Sequence, residues 1–169
     1  MNCIKYSILL VFTVLLGSCN GKRTNDDVFS EFEGEKGVYM VKLPPRLFMT
    51  LIGMEEDRIN DDNIGDIDLV KMLVYSRENN TDEDTGRMMQ RISARMNDFE
   101  YENIIGFTSS DVYVSAYILD NDQYVSDLMI LFKEDQSLVC MGLSGKLDGR
   151  KIFKFASNLE YDKLRDFID

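Results

Sequence analysis

A chain of 169 residues, 44% of them hydrophobic, can bury the core of one domain but is short for two of ordinary size. Its 30 acidic residues outweigh its 19 basic ones, and the formal charge of −11 argues against a nucleic-acid partner and against electrostatic attachment to an anionic lipid surface. The absence of histidine excludes Ser-His-Asp and Cys-His catalysis and any zinc site built on imidazole.

The chain opens MNCIKYSILLVFTVLLGSCN, with a positive charge at Lys5, an apolar run from Tyr6 to Leu16, and small residues directly before Cys19. An apolar run of that length rises only ~16 Å as a helix, about half a hydrocarbon core, so it suits a cleaved export signal better than a permanent span. Leu16-Gly17-Ser18-Cys19 resembles the lipobox of bacterial lipoproteins. That resemblance implies cleavage between Ser18 and Cys19, lipid on the Cys19 sulfur, and a protein anchored in the bacterial cell envelope, at the periplasmic face or the outer membrane. The division that follows is a signal peptide over 1–18, a lipidated cysteine and flexible tether over 19–35, and a single domain over 36–169. Cys3 leaves with the signal and Cys19 is modified, so Cys140 stands alone and no internal disulfide can form. Its setting, Leu138-Val139-Cys140-Met141, is that of a buried apolar thiol.

Gly37 to Leu43 is rich in β-formers and reads as a covered strand. Pro44-Pro45 stops it, and Arg46 to Ile52 reads as a short helix closed by Gly53. After the acidic, polar stretch from Met54 to Asp66, a second strand is predicted near Asp68 to Ser76. Thr81-Asp82-Glu83-Asp84 offers a capping hydroxyl and acidic first-turn residues for the best-defined helix, whose apolar face is Met88, Met89, Ile92, Met96 and Phe99. Arg87, Arg91 and Arg95 line its flank and read as a solvated row paired in part with Glu83. Strands follow at Asn103 to Thr108, Asp111 to Leu119, Val125 to Lys133 and Ser137 to Leu147, the last two forming a hairpin across Glu134-Asp135-Gln136. Asp148-Gly149 caps a final helical stretch, with a second capping pair, Ser157 and Glu160, before Tyr161 to Ile168. The order β-α-β-α-β-β-β-α, with short links between the late strands, predicts an α+β fold. Its sheet is mixed but mainly antiparallel, of about five or six strands, with helices packed mostly on one face.

The acidic clusters fail as calcium loops. From Asn60, Asp62 and Gly65 fit an EF-hand, but Ile64 and Lys71 occupy ligand positions; from Asn80, Asp82 and Asp84 fit, but Thr85 and Arg91 do not. Asp120 and Asp122 read as turn carboxylates. Gly142, Gly145 and Gly149 lack the strand-to-helix setting of a phosphate loop, and the first two read as sites of bending or close packing. No catalytic residue, metal site or cofactor is assigned. The surface singled out for binding is aromatic: Tyr113 and Tyr117 on one strand, joined by Tyr39 if the first strand shares their face.

Several segments are similar to the Bacteroidetes lipoprotein family called domain of unknown function 4252. They are the Cys19 lipobox, Val38 to Leu43 leading into a helix that ends Leu51-Ile52-Gly53, Asp111 to Val114, Asp127 to Leu131, and Leu143 to Asp148. Pro44-Pro45 departs from the more helical residues expected there. The resemblance implies location and fold class and carries no catalytic motif. The resulting functional reading is a membrane-anchored, non-catalytic module that binds an envelope protein or component. Its alternative is a carboxylate- or metal-dependent hydrolase using Asp61, Asp62, Asp82 and Asp84.

Overall fold

Runs of aliphatic and β-branched residues that are apolar at both odd and even positions need cover on both sides, and that requirement shapes the molecule. The computed structural model describes residues 24–51, 64–77, 84–109 and 112–157. Within them, α1 (Asn25–Ser30) precedes β1 (Val38–Leu43), α2 (Pro45–Leu51), β2 (Gly65–Ser76) and α3 (Thr85–Asp98). Then come β3 (Glu102–Thr108), β4 (Val112–Asp120), β5 (Val125–Glu134), β6 (Ser137–Leu147) and α4 (Gly149–Ser157). All strands join one open antiparallel sheet in the order β1-β2-β6-β5-β4-β3. The last strand thus inserts between the β1–β2 pair and the β3–β4–β5 meander and closes the two parts into one α+β domain.

Parity along the strands sorts the core into two layers. On one face Leu73, Leu138, Cys140, Met129, Leu131 and Tyr117 meet Val28, Phe29 and Phe32 from α1 and its C-terminal turn, and Met88, Ile92 and Met96 from α3. On the other, Val70, Met72, Met141, Leu143, Leu128 and Ile130 meet Phe48 and Met49 from α2 and Ile152 from α4. The helices therefore fall two to each face, where packing mostly on one face was expected. The expectation failed because short links constrain strand order and do not say on which side a helix folds back.

Two further expectations are corrected. Residues 24–35 are not a flexible tether: α1 occupies 25–30, and Val28, Phe29 and Phe32 are fully buried. The helix is only 6 residues long, below the length at which propensity holds a helix in water, so packing against the sheet sustains it. The third helix starts at Thr85 instead of Thr81, capped by Asp84, whose Oδ1 accepts the Arg87 N–H at 2.7 Å. Thr81, Gly53, Glu160 and Tyr161 to Ile168 lie outside the described residues. At the last helix the expected cap is in place, with Asp148 Oδ1 accepting the Arg150 N–H at 2.9 Å.

The β2–β6 pairing shifts register between Ile67 and Leu69, and the strands approach closely there. A Cβ built on Gly145 would lie 1.9 Å from the Asp66 carbonyl oxygen, and one on Gly65 would lie 2.2 Å from that of Lys146. Gly145→Ala should therefore cost at least ~2 kcal/mol in urea unfolding, since backbone must move to admit a methyl. Gly34→Ala, at φ +82° with nothing within 4 Å of the added carbon, should cost about 1 kcal/mol. Equal losses would show that the close approach of β2 and β6 does not limit stability.

Candidate functional site

Among the described residues, the two buried charged side chains, Lys71 and Asp127, lie beneath α1. Lys71 lies on β2 opposite Lys42 of β1 and Gly142 of β6, on the face that α1 covers. It is 1% exposed, and its ammonium donates to Asp26 Oδ1 and Glu33 Oε1, each at 2.8 Å. The Nζ also stands 5.8 Å from the Phe29 ring centroid. Burial pushes the Lys71 ammonium down, but its bonds to Asp26 and then Glu33 outweigh that and raise it. The hydrogen bond from Lys71 correspondingly holds the Asp26 carboxyl below its ordinary value against a smaller effect of burial. Lys42 contributes a looser contact to the same carboxylate at 3.7 Å.

Next to this network Asp127, third residue of β5 and fully buried, accepts the Asn25 backbone N–H on Oδ1 at 2.9 Å. The same oxygen accepts the Ser144 hydroxyl from the directly paired position on β6. The Asn25 side chain lies flat on Gly142, where an added Cβ would come within 2.7 Å of it. The Asn25 carboxamide and the Tyr101 hydroxyl are buried with no hydrogen-bond partner among the described residues. Unpaired polar groups of this kind penalise docking, so α1 is less firmly held than its apolar contacts alone would make it.

The arginine row completes the seam. Arg91 forks onto Glu35 at 2.6 and 2.9 Å and lies 5.1 Å from the Phe32 ring, while Arg95 reaches Glu31 at 3.0 Å. These partners come from the turn after α1. Arg91 and Arg95 are thus a docking edge for that segment, whereas Arg87, 62% exposed and 3.6 Å from its own helix cap Asp84, keeps to the solvated flank expected; Glu83 lies outside the described residues. The Arg91 hydrogen bonds hold the Glu35 carboxyl low, against burial.

The three tyrosines do not form one surface. Tyr39 pairs with Val74 on the opposite face and is 54% exposed, whereas Tyr113 and Tyr117 lie on the α1 face, four strands away. Tyr117 is 6% exposed, and its hydroxyl joins Ser115, Ser93, Tyr113 and Asn103 in a hydrogen-bonded group that holds it low against the effect of burial. Asp61, Asp62 and Asp82 lie outside the described residues, and so does Cys19. Asp84 is a helix cap. Cys140 is fully buried, which pushes its thiol far up and leaves no thiolate to react. Among the described residues no three acidic or cysteine side chains cluster as a metal site, and no helix is long and apolar enough to cross a membrane.

Sequence reading missed the Lys71, Asp26 and Asp127 cluster, although a signal existed. Lys71 and Asp127 are charges inside runs, DLVKMLVYS and VSDLMILFK, that otherwise read as buried strands. A charge at such a position needs a partner. What the runs do not reveal is that the partner of Lys71 lies 45 residues upstream, in α1.

An asymmetry in variants should expose this arrangement. Replacing both Asp26 and Glu33 with Ala strands a buried ammonium and should cost about 3–5 kcal/mol in urea unfolding. Lys71→Met removes the charge and leaves two carboxylates already open to water, so it should be near neutral or stabilising by about 1 kcal/mol. Equal destabilisation by the two changes would refute a desolvated Lys71. The pH dependence follows from the same groups. Asp26 and Glu35 are depressed, so their contribution is complete above their ordinary values of 3.8 and 4.5 and is lost as pH falls through the lower folded values. Lys71 is raised from 10.5, so its contribution is complete below that value and is lost as pH rises through the folded one. Hydrogen exchange of the Val28 and Phe29 amides should accelerate on the acid side before the amides of β6 do.

Comparison with known proteins adds one finding. No curated protein and no solved structure matches the chain. The family model described as Domain of unknown function (DUF4252) matches residues 32–155, from the end of the α1 turn into α4 and across the whole sheet. The match takes in Lys71, Asp127, Ser144 and the arginine row and begins after α1 itself, and on that extent the chain belongs to the DUF4252 family.

Proposed function

We propose that the protein is a lipid-anchored lipoprotein of the bacterial envelope whose α+β domain is a non-catalytic binding module for another envelope component. The observation that carries this reading is the order of charge, apolar run and small residues ending in Leu16-Gly17-Ser18-Cys19. The state of the buried groups supports the non-catalytic part. Lys71 is committed to two carboxylates, Asp127 to the α1 backbone and Ser144, and Cys140 is held as a thiol. Lys71 and Asp127 thus serve to hold elements together, and a general acid or base needs a proton free to move.

The membrane partner is reached through lipid on Cys19, because an acidic body gains nothing from anionic headgroups. Each buried methylene contributes ~0.8 kcal/mol, so two or three acyl chains give attachment that one cannot. With residues 1–19 replaced by a cleavable secretory signal that lacks the cysteine, the protein should shift almost entirely from the membrane to the soluble fraction of expressing cells while its unfolding midpoint stays unchanged. Retention of the variant in membranes overturns the anchor.

A further inference from the structure

We infer that α1 is a docked strap that holds the domain close to the bilayer in one orientation, with the β4–β5 turn at 121–124 nearest the membrane and the β5–β6 hairpin at 135–136 farthest from it. The inference rests on the lipid-anchor reading above. Its basis is the difference between the chain length available for a tether and the length the fold leaves. A tether from Cys19 through residue 35 would reach up to ~58 Å when extended, enough for the domain to tumble freely. Docking shortens it. The Thr24 N–H is bound to Asp27 at 2.8 Å, the Asn25 N–H to Asp127 at 2.9 Å, and Val28, Phe29 and Phe32 are fully buried. Five links then join Cys19 to Thr24, with a reach of at most ~18 Å. A domain of this length has a radius of gyration of about 15 Å, so the link is shorter than the domain is wide.

The point of attachment sets the direction. Asp127 is ~7 Å along β5 from Val125 and ~23 Å from Glu134 at the far end. The chain therefore enters near the end of the sheet that carries the 121–124 turn. That end exposes Asp120 and Asp122, so proximity to an anionic bilayer comes from the short link and not from attraction. The opposite end presents exposed Arg77, Asp84, Asp135 and Gln136 to the aqueous side, with the start of α3 tied to the hairpin by Thr85 Oγ1 donating to the Asp135 carbonyl at 2.8 Å.

The test places one added cysteine at either end of the full-length protein, Asp122→Cys or Gln136→Cys, in native membranes, with bulky polyethylene-glycol maleimide as probe. Cys140 is fully buried and stays silent. Gln136→Cys should be labelled several-fold faster than Asp122→Cys after normalising to the rates of the same variants made soluble by replacing residues 1–19 with a cleavable signal that lacks the cysteine. A flexible Gly-Ser insert between Gly21 and Lys22 should abolish the difference. Equal normalised rates with the native link overturn the orientation while leaving the anchor standing. Failure of the unmodified protein to sediment with membranes overturns the anchor itself, and the inference with it.

Discussion

An ammonium group on a central strand cannot be left in an apolar layer without partners, and this constraint organises the N-terminal third of the molecule. Lys71 is buried between β1 and β6, and its partners Asp26 and Glu33 flank α1 at its first turn and just past its C-terminal end. Holding both carboxylates on one nitrogen lays α1 along the sheet and seats Phe29 against the same ammonium. From there the path of the chain is prescribed: Glu31 meets Arg95, Glu35 meets Arg91, and β1 begins at Val38 beside Tyr75. A segment too short and too charged to be helical alone becomes part of the core because the sheet supplies what its carboxylates and apolar residues lack.

The two faces of the sheet then divide the work. The face away from α1 is sealed by apolar contact, with Phe48, Met49 and Ile152 over Val70, Met141 and Ile130. The α1 face mixes an apolar layer with the Lys71 network, the Asp127 anchor and the Tyr113–Tyr117 group. Some of its polar groups are fully satisfied while the Asn25 and Tyr101 side chains are not, so local opening should begin there.

Much of the architecture was legible in the residues. Alternation and turn chemistry placed the six strands near their observed bounds, the three- and four-residue spacing of Met88, Ile92 and Met96 marked the buried stripe of α3, and Gly142 and Gly145 were recognised as points of close packing. These are local properties, decided within a few residues by backbone sterics and by which side chains must leave water. The aromatic surface was not legible in the same way. Parity relates Tyr113 to Tyr117 within one strand, but nothing local relates either of them to Tyr39, which register and strand order put on the other face.

By itself the sequence determined the α+β class, the strands and principal helix, the apolar nature of Cys140 and the family resemblance, because composition, periodicity and spacing act through short-range physics. Only the tertiary structure decided that the helices split between two faces, that Arg91 and Arg95 dock the turn after α1, and that residues 25–32 are core rather than tether. The physical reason is that these outcomes depend on pairings across long stretches of chain. Asp26 with Lys71 and Asn25 with Asp127 join residues 45 and 102 positions apart. Desolvation makes such pairings obligatory once the sheet has formed, but no pattern within either partner's own segment reveals where the other will lie.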